Sequence, residues 1–302
     1  MTKGKLSGSI YRWLLIAAAT CIALSCSSKH LDDGDDASDR LPLILMVDSG
    51  TGVSPMEVGT TVGVFFMSKG SGEAFRTNEM LIVDHDGMLM QGRDTVVPLN
   101  TGQYDFFAYS PYSSGWDEVA DAVVEYDVEP DQTSSLHYQA SDLMLSYMIE
   151  RKDDHDEAVF RHVMAKILVH ITDKTGTFDM RFASALLRDM KLRSYIYMGE
   201  GTCRTDESVI SDVECRPLEC MDRRASFAAV VPPQDVVAGR LDMIIGIGDN
   251  SYDFAVPYMD MLTGGKVHVF NLRMTDRGLE LEDTQVNDWE DAGGGNMNVA
   301  FQ

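Results

Sequence analysis

The chain has 302 residues, and its 48 acidic residues outnumber 25 Lys and Arg, which gives a formal net charge of −23 at pH 7. Such a charge disfavours nucleic acid and anionic membrane surfaces as partners, because both repel a negative protein. The length is sufficient for two domains of ordinary size after a short leader.

Residues 1–25 predict an export signal. Three basic residues precede an apolar run of about a dozen residues, Trp13–Leu24, which is too short to span roughly 30 Å of hydrocarbon. The run ends in Ala-Leu-Ser before Cys26, which resembles the cleavage site of bacterial lipoproteins. We therefore expect Cys26 to become the acylated first residue. The alternative is an ordinary cleavable signal peptide that contains a cysteine.

Residues 26–40 predict an acidic tether. The segment carries five Asp residues and no apolar periodicity, so it has no core around which to fold. An acidic run behind a lipidated cysteine resembles the surface-export signal of some lipoproteins, and a plain soluble spacer is the alternative. Without the three basic residues of the leader, the charge of the remaining chain is −26.

The rest of the sequence predicts an all-β fold. Short apolar or alternating runs recur between Gly, Pro and Asp residues, a pattern typical of β-sandwiches. The charged stretch Glu150–Glu157 predicts a boundary between an N-terminal sandwich, residues 41–152, and a C-terminal sandwich, residues 153–302. Beyond it, the apolar pattern predicts one long strand over Val159–Thr172, and Ala183–Leu187 predicts a helical turn.

No motif for catalysis or for a cofactor is recognisable, which indicates a protein that is neither an enzyme nor a cofactor carrier. The three cysteines beyond Cys26 match no zinc spacing, so one disulfide with a free thiol, or three unpaired thiols, is favoured over a metal site. An aromatic cluster that includes Tyr112 and Trp116 is expected to pack in the core, and a carbohydrate-binding platform is the alternative. The three cysteines are Cys203, Cys215 and Cys220.

Several segments together resemble the fimbrillin family, the subunits of type V pili. The similar segments, in chain order, are the lipoprotein site at Cys26, Val62–Phe66, Val97–Leu99, Tyr104–Tyr112, Ser141–Met144, Phe160–Ile167, Val231–Gln234, Gly265–Leu272, Leu279–Leu281 and Trp289. The resemblance implies two transthyretin-like β-sandwiches and export as a lipoprotein. It also implies that a trypsin-like protease removes the leader and the first strand after an arginine, and that a strand of a neighbouring subunit fills the groove.

The first strand departs from that pattern. No Arg or Lys lies between Leu41 and Met67, so a cut at the nearby Arg40 would remove the acidic tether and leave the first strand in place. Either the protein stays uncut, as an anchor or accessory subunit, or a different protease opens the groove. The residues expected to fill the groove are Leu41, Leu43, Leu45 and Val47.

The C-terminus offers a candidate donor strand. Three glycines, 293–295, form a flexible hinge, after which Met297, Val299 and Phe301 alternate on one face. We name residues 293–302 the tail. Its alternatives are a last strand folded into its own domain and a frayed terminus.

These features predict a structural component of a type V-like pilus, anchored in the outer membrane through lipid and joined to other pilus subunits by strand exchange. A host glycan or protein is a further candidate partner. The alternative function is a surface glycan-binding lipoprotein.

Overall fold

The computed structural model describes residues 43–68, 74–85, 89–90, 104–116, 123–147, 149–151, 155–198, 200–236, 240–257 and 259–289. The strands are numbered β1 to β23 along the chain. In this part of the chain no helix is both long and apolar enough to cross a membrane.

The first sheet has nine strands, in the order β2-β1-β10-β8-β6-β3-β4-β5, with β9 paired beside β10. Its strands are β1 (Leu43–Asp48), β2 (Val53–Pro55), β3 (Thr61–Ser68), β4 (Ala74–Val83), β5 (Leu89–Met90), β6 (Tyr104–Ser110), β8 (Met144–Ser146), β9 (Ile149–Arg151) and β10 (Asp156–His162). Most neighbours are antiparallel, but β1 and β10 run parallel.

The first sheet is curled: β1, near one end of the strand order, contacts β5 at the other end. Its inner face encloses an apolar cluster, which includes Leu45, Val64 and Phe160. On the opposite face, Phe65 and Phe107 join a second and larger cluster shared with the rest of the fold. Residues alternate between the two faces, as the period of a strand requires.

Two further sheets build the second half of the fold. One has five strands in the order β16-β17-β11-β22-β23, and the other has four in the order β15-β12-β19-β20. The strands of the five-stranded sheet are β11 (Ala165–Asp173), β16 (Arg216–Met221), β17 (Arg224–Val231), β22 (Lys266–Thr275) and β23 (Gly278–Asp288). Those of the four-stranded sheet are β12 (Ser184–Lys191), β15 (Ile210–Glu214), β19 (Arg240–Ile247) and β20 (Asn250–Pro257).

The five- and four-stranded sheets share one core. On β19, Leu241, Met243 and Ile245 are buried at alternate positions, and they belong to the same cluster as Ile167 and Phe227 of the other sheet. Burial of side chains at this spacing is the main favourable term in sandwich formation.

Smaller elements connect the sheets. A three-stranded sheet contains β7 (Val123–Asp127), β13 (Arg193–Tyr197) and β14 (Thr202–Thr205), and a two-stranded sheet contains β18 (Gln234–Asp235) and β21 (Met261–Leu262). The helix α1 (Ser135–Ser141) begins after Ser134, whose hydroxyl accepts a hydrogen bond from the backbone N–H of His137, and a 3-10 helix covers Ser114–Trp116.

The all-β prediction is confirmed, and two local predictions are wrong. Four of the five residues of Ala183–Leu187 lie in β12, which begins at Ser184, and they form no helical turn because their backbone pairs with β15 and β19. The single strand over Val159–Thr172 is two strands: β10 belongs to the first sheet, β11 to the five-stranded sheet. The division into two sandwiches at residues 152 and 153 stays a prediction.

Candidate functional site

The first strand, β1, lies in the first sheet between β10 and β2. Its six residues pair in register with β10, from Leu43 opposite Asp156 to Asp48 opposite Arg161. On its other side it pairs with only three residues of β2, all of them exposed. We name the space that β1 fills between β10 and β2 the first-strand slot.

Alternate residues of β1 point into the core. Leu43, Leu45 and Val47 are buried on the inner face, whereas the residues between them are only half-buried. Across the pairing, Leu45 lies opposite Ala158 and Val47 lies opposite Phe160. The three apolar side chains contribute roughly 1.5 to 3 kcal/mol each through burial. An empty slot would therefore expose the unpaired backbone edge of β10 and the apolar side chains of the cluster that β1 covers.

The carboxylate of Asp48 fastens the end of β1. Its Oδ1 accepts a hydrogen bond from the backbone N–H of Gly50 at 2.9 Å, and its Oδ2 lies 3.1 Å from Nε of Arg161 on β10. The hydrogen bond from Gly50, helped by Arg161, lowers the pKa of Asp48 below 3.8, although partial burial opposes the shift. The carboxylate is therefore ionised at neutral pH and joins the turn after β1 to the neighbouring strand.

The same end of the first sheet meets Trp289, which follows β23. The Trp289 side chain is 2% exposed, and its ring stacks on His162 with a centroid distance of 4.1 Å and an angle of 14°. Nδ1 of His162 is 2.7 Å from Oδ1 of Asp142, and the ammonium of Lys166 lies 5.2 Å from the Trp289 ring centroid. These contacts fix the point from which the chain continues towards the tail.

The sequence-predicted groove residues Leu43, Leu45 and Val47 lie together in the first-strand slot. The other predicted site residues fall outside the described part of the chain, and their roles stay predictions. They are Cys26, Arg40, Leu41, Met297, Val299 and Phe301.

Sequence reasoning missed the grouping of His162, Trp289 and Asp48. From the sequence, His162 stands out only as part of the similar segment Phe160–Ile167, and Trp289 only through the resemblance to the family. Residues 162 and 289 meet through the packing of different sheets, and no local pattern connects them. An unusual Trp just beyond the last strand was the one available signal.

The aromatic cluster is part of the core. Trp116 is buried and stacks on Tyr109 at a centroid distance of 3.9 Å, while Tyr112 is half-buried. This agrees with core packing, which was favoured over a carbohydrate platform. Cys203, Cys215 and Cys220 are unpaired thiols, the second alternative for the cysteines. Among the described residues no cluster of His, Cys, Asp and Glu has the geometry to hold a metal ion.

The sequence comparison decides the family. Residues 48–289, most of the chain, match the model of the fimbrillin-like family. The chain belongs to the fimbrillin-like family. No curated protein shows significant similarity to it. Because members of this family are structural proteins of fimbriae, the chain is classed as a pilus component of the cell surface and not as an enzyme.

Solved structures share the fold of this fimbrillin-like chain at low identity. A candidate cell adhesion protein from Bacteroides uniformis has a TM-score of 0.64 and 18% identity, with coverage of 85% of this chain and 100% of that one. A candidate cell adhesion protein from Bacteroides ovatus has a TM-score of 0.63 and 14% identity, with coverage of 82% and 98%.

Proposed function

We propose that the protein is a fimbrillin-like anchor or accessory subunit that stays uncut, and that it assembles by strand exchange in which a strand of another subunit displaces β1 from the first-strand slot. The observation that carries the proposal is the position of β1: a short strand in parallel register with β10, with three buried apolar residues at alternate positions. A strand from another subunit with the same spacing would satisfy the same backbone groups and refill the same core.

The tail supplies that spacing. Met297, Val299 and Phe301 occur at the same intervals of two residues as Leu43, Leu45 and Val47. All six of these residues are apolar. The tail of one subunit therefore matches the slot of the next in the spacing of its apolar residues.

The uncut role rests on the position of Arg40. β1 begins at Leu43, so cleavage after Arg40 removes the acidic tether but leaves every residue of β1 attached to the fold. In this proposal Cys26 carries lipid and retains the subunit at the outer membrane, while other pilus subunits, and a host glycan or protein, are its partners. The proposed division at residues 152 and 153 places β1 in the N-terminal sandwich and β10, the strand that lines the other side of the slot, just beyond the boundary.

Deletion of residues 293–302 tests strand exchange. We expect the deleted chain to lose the high-mass, heat-stable ladders that a pilus preparation shows on gel electrophoresis. A sharper variant replaces Met297, Val299 and Phe301 with Asp, and its matched control replaces Asn298 and Ala300 with Asp on the opposite face. Unchanged ladders in the first variant would remove the tail from assembly.

Mass spectrometry of protein from cells separates the two roles. An acylated Cys26 with residues 40–47 intact supports the anchor or accessory role. A mature N-terminus after residue 47 would show that β1 is removed, as in a polymerising shaft subunit.

A further inference from the structure

Three consecutive residues at the end of β10 contact three different parts of the fold. Phe160 lies opposite Val47 of β1, and both are buried. Arg161 pairs with Asp48. His162 stacks on Trp289. The end of β1 and the residue that precedes the tail are thus held by neighbouring residues of one strand.

A second contact joins the same two regions directly. Gly50, in the turn after β1, packs so closely against Asp288 that a Cβ at position 50 would overlap the Cβ of Asp288. Gly50 has φ of +85°, a conformation that glycine adopts readily, and its N–H is held by Asp48. Asp288 in turn forms an ion pair with Lys266 of β22.

We infer that occupancy of the first-strand slot by β1 is coupled to the anchoring of Asp288 and Trp289, so that loss of β1 loosens the point from which the tail leaves the fold. When β1 departs, Arg161 loses its carboxylate partner and Phe160 loses its neighbour Val47. Gly50, in the turn after β1, then no longer packs against Asp288. The first two changes act on the strand residues that precede His162, the partner of Trp289, and the third acts on the residue before Trp289.

The inference rests on the proposed function and adds an order of events to it. A subunit whose slot still holds β1 keeps the base of its tail fixed, and a subunit whose β1 has left offers its tail more readily. Because coupling between two sites is reciprocal, loosening Trp289 also weakens the hold on β1.

Hydrogen exchange of the monomeric full-length chain, followed by mass spectrometry, tests the coupling. Asp48→Ala removes both the acceptor of Gly50 and the partner of Arg161. We expect the amides of residues 287–289 to exchange about tenfold faster in this variant, while amides of the β11 core stay unchanged. Asp127→Ala is the matched control, because it breaks a comparable ion pair with Arg193 away from β1 and should leave residues 287–289 unaffected.

Faster exchange in β1 with unchanged exchange at residues 287–289 would overturn the inference. If Asp48→Ala also raises exchange in the β11 core, that variant disturbs the whole fold. The nearly isosteric Asp48→Asn then takes its place, and exchange in β1 and at residues 287–289 is compared with wild type in the same way. In the reverse direction, Trp289→Leu keeps an apolar side chain but removes the stack on His162, and it should speed exchange in residues 43–48. If residues 43–48 exchange at the same rate in Trp289→Leu and in wild type, the inference is also overturned.

This measurement is independent of assembly. Lost coupling with normal pilus ladders would reject only the ordering of events. Intact coupling in a chain that forms no ladders would instead reject the proposed strand exchange.

Discussion

Leu45 on β1 lies directly opposite Ala158 on the parallel strand β10, and neither side chain is exposed to solvent. Truncation of Leu45 therefore leaves a cavity inside the curled first sheet. We expect Leu45→Ala to lower the free energy of unfolding by about 2 to 5 kcal/mol, the usual range for a buried leucine. Urea denaturation followed by circular dichroism measures this change.

Met46 provides the control for that substitution. It is the next residue of the same strand, but its side chain points to the opposite face and is only half-buried. Met46→Ala should lower the free energy of unfolding by less than about half as much as Leu45→Ala does. Equal losses in the two variants would contradict the assignment of the inner face to Leu45.

Gly63 on β3 lies beneath the ring of Tyr109 on β6. A Cβ at position 63 would overlap that ring, whose hydroxyl donates to Oδ1 of Asn78 at 2.6 Å. We expect Gly63→Ala to destabilise the fold by about 1 to 3 kcal/mol, because the ring must shift in a packed core. Thermal or urea denaturation is the measurement.

A double substitution tests the cause. In Gly63→Ala combined with Tyr109→Leu the overlap with the ring is absent, so the double variant should lose less stability than the sum of the two single losses. Additive losses would mean that the alanine destabilises the fold through a contact other than the one with the Tyr109 ring.

The sequence was a good guide where strands alternate or lie between turn residues. The apolar run Val62–Phe66 lies in β3. In the slot, the alternation of Leu43, Leu45 and Val47 was sufficient to identify the buried face. These features depend on local pattern, which a single sequence contains.

The break between β10 and β11 depends on long-range pairing. Val163 and Met164 are apolar and carry no turn signal, yet the chain changes sheets there. The backbone N–H of Val163 donates to the carbonyl of Leu143, and the carbonyl of Met164 accepts from Gly265. Both partners come from distant parts of the sequence, so the break, and with it the role of His162, was not predictable from local pattern.

The helical turn predicted over Ala183–Leu187 was wrong for a related reason. Its alanines and leucines favour a helix by intrinsic propensity. In the fold, Ala185 and Leu187 are buried and pair with Ile245 and Met243 of β19. Pairing and burial outweigh a propensity difference of a few tenths of a kcal/mol per residue.

Cys215 should be the least reactive thiol of the three described cysteines. Its side chain is 3% exposed, and burial raises its pKa to about 12, so little thiolate forms at neutral pH. We expect iodoacetamide at pH 8 to label Cys220, which is half-buried, much faster than Cys215. Peptide mapping by mass spectrometry measures both rates.

The unfolded chain is the control for the thiol experiment. In concentrated urea both cysteines should label at similar rates, because neither is buried. Rapid labelling of Cys215 in the native protein would contradict its burial between β12 and the core.

The ion pair at the end of β1 should make stability depend on pH. The hydrogen bond from Gly50, together with Arg161, lowers the pKa of Asp48 in the folded state. A group with a lowered folded pKa contributes stability above its unfolded pKa, about 3.8 here, and that contribution is lost as the pH falls through the folded pKa.

The comparison of wild type with Asp48→Asn isolates this contribution, because other acidic groups titrate alike in both. The wild type should be more stable at pH 7 by no more than about 1 kcal/mol, since a partly exposed ion pair is screened by solvent. The gap should stay constant down to about pH 5 and narrow below about pH 4. Urea denaturation at several pH values measures it, and a gap that persists unchanged at about pH 2 would show that the carboxylate of Asp48 does not fasten β1 to β10.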